Sequence, residues 1–442
     1  MYASDKSSAS EAIESVKKQK ILMIAKGTYG DMFPMYAIAK SLKKRGYELT
    51  IATNAANIDA VLSLGFHVLR IDKPDTVVLR NGFDTFLYKI AGNSWFIKTF
   101  LLSSIETEYE ILLQAAEEYD LIIGNQLAYT GSMVKEKLHK PWVYCMASPM
   151  ALPFSHNEPT LFPFIHGLQK LSRGSKTLQH MYVALARRVI GLFMYNYMIY
   201  RKKLGLSTHN HPTLEAMYSN RLNLLLVSPT LVNHLESNVP PTSITGFTWF
   251  EPEFFASPNL EEKIISFLNS GTAPVIFALG GDKRTNPGQY FQAFIDACKI
   301  LGIRGIIVAS ERFHKTLSVN DSILVVSYTP YSVLFKRARA LVHSGGIGTI
   351  AWCIRYKIPS LLIPTSIDQF DNANRAYRAG ISDILSKRDV KAKKLANALK
   401  NLLEDRKRKE NLETLSITVC AEKGEEVAVD KIEALLESIQ EV

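Results

Sequence analysis

The chain has 442 residues, 47% of them hydrophobic, with 52 basic and 42 acidic side chains for a net charge of +10. That length allows two or three domains and that apolar content fills at least two cores, the composition of a large soluble enzyme. The positive balance suits anionic partners, a nucleotide diphosphate or an acidic membrane surface, or is a scatter of solvated lysines; no basic cluster surrounds a nucleic-acid reading motif, so nucleic acid is disfavoured.

Residues 1–20 carry Ser7, Ser8, Ser10 and several charges without an apolar core, which predicts a flexible leader and no export signal. A strand is predicted over 21–25, then the loop Gly27-Thr28-Tyr29-Gly30-Asp31-Met32-Phe33-Pro34, a helix over 34–45 stopped by Gly46, and a strand over 48–53. Further strands at 67–71, 121–124 and 142–146 alternate with helices near 104–118 and 132–138. Alternation of this kind predicts a parallel sheet with right-handed crossovers. Between them, residues 83–102 carry Phe83, Phe86, Trp95 and Phe96, interrupted by Lys89 and Lys98.

From 153 to 218 the rhythm gives way to a helical, aromatic insertion with Phe154, Phe162, Phe164 and Phe193, and it returns with a strand at 222–227. No segment reaches the roughly 20 apolar residues that span a bilayer. The nearest stretch, 189–200, is flanked by Arg187, Arg188, Arg201, Lys202 and Lys203. It reads as a helix dipping into a membrane surface, as the wall of a greasy acceptor pocket, or as an ordinary buried helix with basic ends.

Residues 237–258, with Pro240, Pro241, Pro252 and Pro258, are the predicted linker between domains 21–236 and 259–424. The second half offers strands at 275–278, 305–308, 323–327, 340–342 and 360–363, and a helix over 425–440 with one apolar face. Cys145, Cys298, Cys353 and Cys420 are too dispersed for a disulfide framework or zinc site and read as free thiols in a reducing cytoplasm.

The most informative stretch is 342–375. A strand delivers the chain into His343, Ser344, Gly345, Gly346, Ile347, Gly348 and Thr349, and a helical pattern resumes. Glycines let a backbone approach a ligand without a Cβ in the way, and the amides of a first helical turn attract an anion, so a diphosphate fits. A second strand ends at Pro364 and is followed by Asp368, Gln369 and Asp371, side chains that read hydroxyl groups. Phosphate first and hydroxyls later describes a nucleotide sugar. For Asp368 and Gln369 the alternative is a helix N-cap, for His343 a core histidine, and for Asp31 the N-cap of its helix.

This spacing resembles the donor signature of family 1 nucleotide-sugar glycosyltransferases, in which a His-x-Gly-Gly turn, a Ser/Thr and a terminal Asp-Gln recur in order. The Gly27-Thr28-Tyr29-Gly30-Asp31-Met32-Phe33-Pro34 loop is similar to the family's opening Gly-x-x-Gly-Asp-x-x-Pro. Within the family, these residues with Ser148-Pro149 and Asp368-Gln369-Phe370-Asp371-Asn372-Ala373 resemble the bacterial rhamnosyltransferases of glycolipid synthesis, and sterol and antibiotic glucosyltransferases share much of the pattern.

The resemblance implies an α/β GT-B fold: two Rossmann-like doubly wound domains facing across a cleft, with the terminal helix crossing back onto the first. It implies an inverting glycosyltransferase without resident cofactor or metal, using a UDP- or dTDP-sugar, glucose or rhamnose, on a hydrophobic lipid, sterol or natural-product acceptor. Asp31 would be the catalytic base on the acceptor-side loop Gly27, Thr28, Tyr29 and Gly30, where many members use a His. His343, Gly345, Gly346, Gly348 and Thr349 would hold the diphosphate, Asp368 and Gln369 the sugar, Tyr328 the base, and Gly280 and Gly281 a further backbone contact. Cytoplasmic work, with peripheral contact on the inner membrane face, would follow. The alternatives are a catalytically silent partner of another transferase, which needs neither Asp31 nor a complete donor loop, and a nucleotide-sugar epimerase, which needs further carboxylates and histidines.

Overall fold

A computed structural model describes residues 19–72, 104–152, 175–211, 215–232, 240–252, 258–279, 288–314, 317, 319–327, 329–365 and 367–440. Gly280, Gly281, Tyr328 and the aromatic residues predicted within 83–102 and 154–164 lie outside them, as does the Phe193 side chain.

Strands β1 (Lys20–Ile24), β2 (Glu48–Thr53), β3 (His67–Arg70), β4 (Leu121–Asn125), β5 (Trp142–Met146), β6 (Leu222–Leu225) and β7 (Thr242–Ile244) form one sheet in the order β3-β2-β1-β4-β5-β6-β7. A second sheet has the order β10-β9-β8-β11-β12-β13, from β8 (Val275–Ala278), β9 (Gly305–Val308), β10 (Ile323–Val326), β11 (Ala340–His343), β12 (Ser360–Leu362) and β13 (Ser382–Ile384). Every pairing is parallel. Central strands in such sheets are covered on both faces, which is why Ile21 to Ile24 and Val275 to Phe277 are continuous apolar runs with no exposed surface.

Both orders reverse direction at one point, between β1 and β4 in the first sheet and between β8 and β11 in the second. Loops leaving the carboxyl ends of the strands diverge there and open a crevice. Asp31 follows β1 and His343 ends β11, so the two glycine signatures sit at the two crevices.

Four differences from the sequence reading stand out. The first helix, α1 (Tyr29–Lys44), begins five residues before Pro34 and keeps it inside. Strand β7 lies within the predicted linker, and β13 had not been expected; each is only three residues long and mixed in polarity. Asp371, grouped with the hydroxyl readers, is buried and accepts from Arg375 Nε at 2.9 Å, because the i,i+4 spacing turns both inward. The 189–200 stretch is no single helix: the chain breaks at Met194 between α3 (Lys176–Phe193) and α4 (Tyr195–Lys203), which follow α2 (Tyr129–Leu138).

The last helix, α7 (Gly424–Gln440), crosses to the first sheet. Its Ala428, Val429, Ile432, Leu435 and Leu436 join Ile21, Met23, Ile38 and Leu42 in one buried cluster. Each fully buried aliphatic side chain contributes roughly 1.5–3 kcal/mol, and Arg45, at the end of α1, adds ion pairs to Asp430 and Glu433 at the rim. The crossing is pinned at its start, where Glu422 accepts from Ser228 Oγ and from the Phe247 N–H at 2.9 Å, and Glu425 from the Trp249 N–H at 3.2 Å. All four cysteines are free thiols, three of them buried.

Candidate functional site

Gly27 has φ +117°, and a Cβ there would lie 2.4 Å from Asp31 Oδ2. Only glycine lets the chain turn off β1 and bring Asp31 back against the turn. Asp31 occupies the third position of α1, where Oδ2 accepts from the Thr28 N–H at 2.9 Å and from Thr28 Oγ1 at 3.1 Å. The carboxylate therefore closes the helix start from inside its first turn. Pro34 has no N–H to give the Gly30 carbonyl, so the same turn leaves that oxygen without its helical donor. Thr28, Tyr29 and Gly30 are exposed on the outer side, with the Tyr29 ring stacked on Phe33 at 5.3 Å.

The other carboxylate oxygen is held by a residue that sequence reasoning missed. Gln126, just beyond β4 on the other side of the crevice, donates Nε2 to Asp31 Oδ1 at 3.0 Å, while its Oε1 accepts from the Ala147 N–H at 3.2 Å. Nothing in a single sequence marks this pairing, because it spans 95 residues. Behind it, Lys26 and Glu108 form a buried ion pair at 2.6 Å, with Ser104 and Thr130 on the same carboxylate, anchoring the loop.

Burial raises Asp31 from the ordinary 3.8 to about 6; the Thr28 N–H opposes the shift, and the negative charge of Asp368 reinforces it. Asp368 belongs to the second half of the chain. A polar path joins the two: Ala147, held by Gln126, is followed by Ser148, whose Oγ donates to Asn372 Oδ1 at 3.4 Å, and Asn372 Nδ2 donates to Asp368 Oδ2 at 3.3 Å. Nearby, Arg375 Nη1 reaches the Leu231 carbonyl at 3.1 Å and fastens the halves together.

Loss of the Gln126 amide removes a donor that favours the charged carboxylate, so Gln126→Leu is expected to raise the Asp31 pKa. The acid limb of the kcat/KM–pH profile then moves to higher pH, with the alkaline plateau little changed. An unmoved limb in that profile means Gln126 does not tune Asp31.

At the second crevice, His343 is buried, and burial lowers its pKa to about 3, so the ring is neutral. Its Nδ1 accepts from the Gly345 N–H at 3.1 Å, which places the ring proton on Nε2. Nε2 is buried and has no partner among the described residues. Gly345 has φ +90°, and a Cβ there would press to 3.1 Å from the Gln369 carbonyl. Its amide is committed to His343, so the amides open to a ligand are those of the next turn, α5 (Ile347–Arg355), whose N-cap is Gly346. Gly348 is exposed, and a Cβ on it would meet nothing within 4 Å. Thr349 Oγ1 lies 3.1 Å from the Tyr331 hydroxyl, inside an aromatic group with Phe335 and Trp352.

Asp368 and Gln369 begin α6 (Ile367–Arg378), and Gln369 Oε1 accepts from both the N–H and Oγ1 of Thr365 at 2.9 Å. That oxygen is thus held by the loop just before the helix. An anionic diphosphate fits the His343 end: an orphan buried donor, a helix start with unpaired amides and a glycine with open space above it. Among the described residues, no group of three or more His, Cys, Asp or Glu is arranged to hold a metal ion.

Two parallel doubly wound sheets whose carboxyl-end loops meet in this way define the GT-B fold. Solved structures agree: a calicheamicin glycosyltransferase superposes with TM-score 0.67 at 13% identity over 95% of this chain and 99% of its own. A spinosyn rhamnosyltransferase solved with thymidine diphosphate gives 0.64 at 17% identity over 94% and 100%. Residues 21–150 match the glycosyltransferase family 28 N-terminal domain, and residues 303–435 match the erythromycin biosynthesis protein CIII-like C-terminal domain. The chain is 24% identical to a sterol 3-beta-glucosyltransferase of Pichia angusta, over 95% of this chain and 34% of that protein. It is 25% identical to one of Arabidopsis thaliana, over 94% and 66%. This chain therefore spans about a third of the yeast relative's length and just under two thirds of the plant one's. By these matches the chain has the GT-B fold and resembles the family 1 glycosyltransferases.

Proposed function

We propose that the chain is an inverting glycosyltransferase that moves a sugar, glucose or rhamnose, from a UDP- or dTDP-linked donor to a hydroxyl of a hydrophobic acceptor. One observation carries the reading: Asp31, held by Thr28 and Gln126 at one crevice, is joined through Ala147, Ser148 and Asn372 to Asp368 in the half of the cleft that ends in His343. Asp31 accepts the acceptor's hydroxyl proton as the oxygen attacks the anomeric carbon. The bond from that carbon to the diphosphate breaks in the same displacement, and the configuration inverts. Charge gathering on the departing diphosphate is met by His343 Nε2–H, the amides of Ile347, Gly348 and Thr349, and the Thr349 hydroxyl.

This positive end supports a reaction without metal, and the nucleotide sugar is a co-substrate, with no resident cofactor. Asp368 and Gln369 contact the sugar and Tyr328 the nucleobase in this reading, with Gly280 and Gly281 beside the phosphates. The names of the relatives, sterol glucosyltransferases and glycosyltransferases of antibiotic assembly, support an apolar acceptor. Four free thiols suit a cytoplasmic setting.

A thermal-shift panel of UDP, dTDP, GDP and ADP with their sugar conjugates tests the donor site. Ligand at 100 times Kd adds about 2.7 kcal/mol to the folded state, so a UDP or dTDP species is expected to raise Tm by several degrees while the purine nucleotides do not. No shift with any nucleotide at saturation puts the silent-partner reading first. Inversion is read from the anomeric coupling constant of the product.

A further inference from the structure

Among the described residues, helices α3 and α4 leave an apolar stripe uncovered. Leu178, Met181, Leu185, Leu192, Tyr195 and Ile199 are all exposed, Leu192 at 73% and Met181 at 63%. With Arg188, also exposed, their spacing alternates three and four residues, which is one face of a helix carried across the break at Met194. The opposite face of α4 is its mirror: Met194, Tyr197 and Arg201, at the same three-and-four spacing, are buried. Tyr197 bonds Ser132 at 3.1 Å and the Tyr129 carbonyl at 3.3 Å on α2, and Arg201 pairs with Glu136. The inner face is thus fixed to the helix that starts three residues after Gln126, and the outer face has large apolar side chains in water.

Charge decides what covers it. No Asp or Glu occurs between Glu158 and Glu215, while eight Lys and Arg do. Arg188, Lys202 and Lys203 are exposed along or at the end of the stripe. A second copy laid against this face would set cations against cations. An anionic lipid surface supplies both the missing charge and an apolar interior for the stripe. No helix among the described residues is long and apolar enough to cross a membrane, so the contact lies in the interface plane.

We propose that the α3–α4 face docks the protein on an anionic membrane, with the stripe in the headgroup boundary and the basic residues on the phosphates. The inner face of α4 packs on α2, the helix that follows Gln126, so the docked face and the crevice holding Asp31 belong to the same half of the molecule. The docking itself stands apart from the donor and the reaction.

Flotation with vesicles tests it without turnover. The full chain is expected to float with phosphatidylcholine vesicles containing phosphatidylglycerol, to be released by high salt, and to float weakly with phosphatidylcholine alone. Lys202→Ala with Lys203→Ala is expected to reduce the partition coefficient about 30-fold, and Leu192→Gln with Ile199→Gln about tenfold or more. Both variants should keep the wild-type melting temperature, since every changed side chain is exposed. Absence of flotation at low salt, or variants that float like the wild type, overturns the proposal. So does sedimentation that finds a wild-type dimer broken by Leu192→Gln with Ile199→Gln, since a second copy is then the occupant.

Discussion

Asp31→Asn is expected to lower kcat by about 10²–10⁴-fold, the range for a general base, while the Kd for the sugar nucleotide stays within about threefold. The two outcomes separate because Asp31 sits on the first sheet's loop and the groups proposed to hold the phosphates on the second. An amide has nearly the carboxylate's shape, so its oxygen still accepts from Thr28, while its Nδ2 meets the Gln126 Nε2 donor; the losses are that one contact and the proton affinity. In the unsubstituted enzyme kcat/KM should fall as pH drops through about 6, where Asp31 takes up its proton, and the variant's residual rate should lack that limb. The same shift sets the stability control. Because the folded-state value lies above the ordinary 3.8, the folded chain holds this proton more tightly than the unfolded chain. That contribution is full below 3.8 and lost as pH rises through 6, so ionised Asp31 is a local cost at pH 8. The variant is therefore expected to melt no lower than wild type at pH 8. Full turnover in Asp31→Asn, measured with a folded sample, removes Asp31 from the chemistry.

His343→Ala is the second large effect. A hydrogen bond from a neutral donor to a charged phosphate justifies a loss of about 10- to 100-fold in donor affinity, read by calorimetry. Since burial keeps the ring neutral down to about pH 3, no imidazolium forms in the working range. The ratio of variant to wild-type affinity should then be the same at pH 5 and pH 8 when a sugar-linked diphosphate is the ligand. Alanine also strips the Gly345 amide of its acceptor and leaves a void under the glycine turn. His343→Asn guards against that: its side-chain oxygen keeps an acceptor for Gly345 but falls short of the Nε2 position. Both substitutions should weaken binding, and unchanged affinity in the asparagine variant assigns His343 to packing alone.

The sequence made much of this architecture legible because buried parallel strands are short apolar runs whose chemistry leaves few alternatives: residues 142–146, 275–278 and 305–308 are strands over those bounds. It misled where a residue type had a familiar local meaning. Pro34 reads as a helix start, yet the turn before it is already helical and is closed by Asp31. Asp371 looked like its neighbours in one dimension, but three residues of helix swing it inward to Arg375. Gln126 left no local trace, since its meaning lies in which loop stands across the crevice.

The helix that returns to the first sheet also sets the order in which the molecule can be completed. Residues up to 252 supply every strand of that sheet, yet Ala428, Val429, Ile432, Leu435 and Leu436 belong to its buried cluster. At roughly 5–20 residues per second, a ribosome needs about 10–40 s to travel from residue 252 to residue 440. Through that interval Ile38, Leu42 and their neighbours lack their cover, so the nascent first half presents a sticky face to chaperones. The second half, whose strands all precede residue 385, closes earlier, and the amino-terminal half is the last to finish.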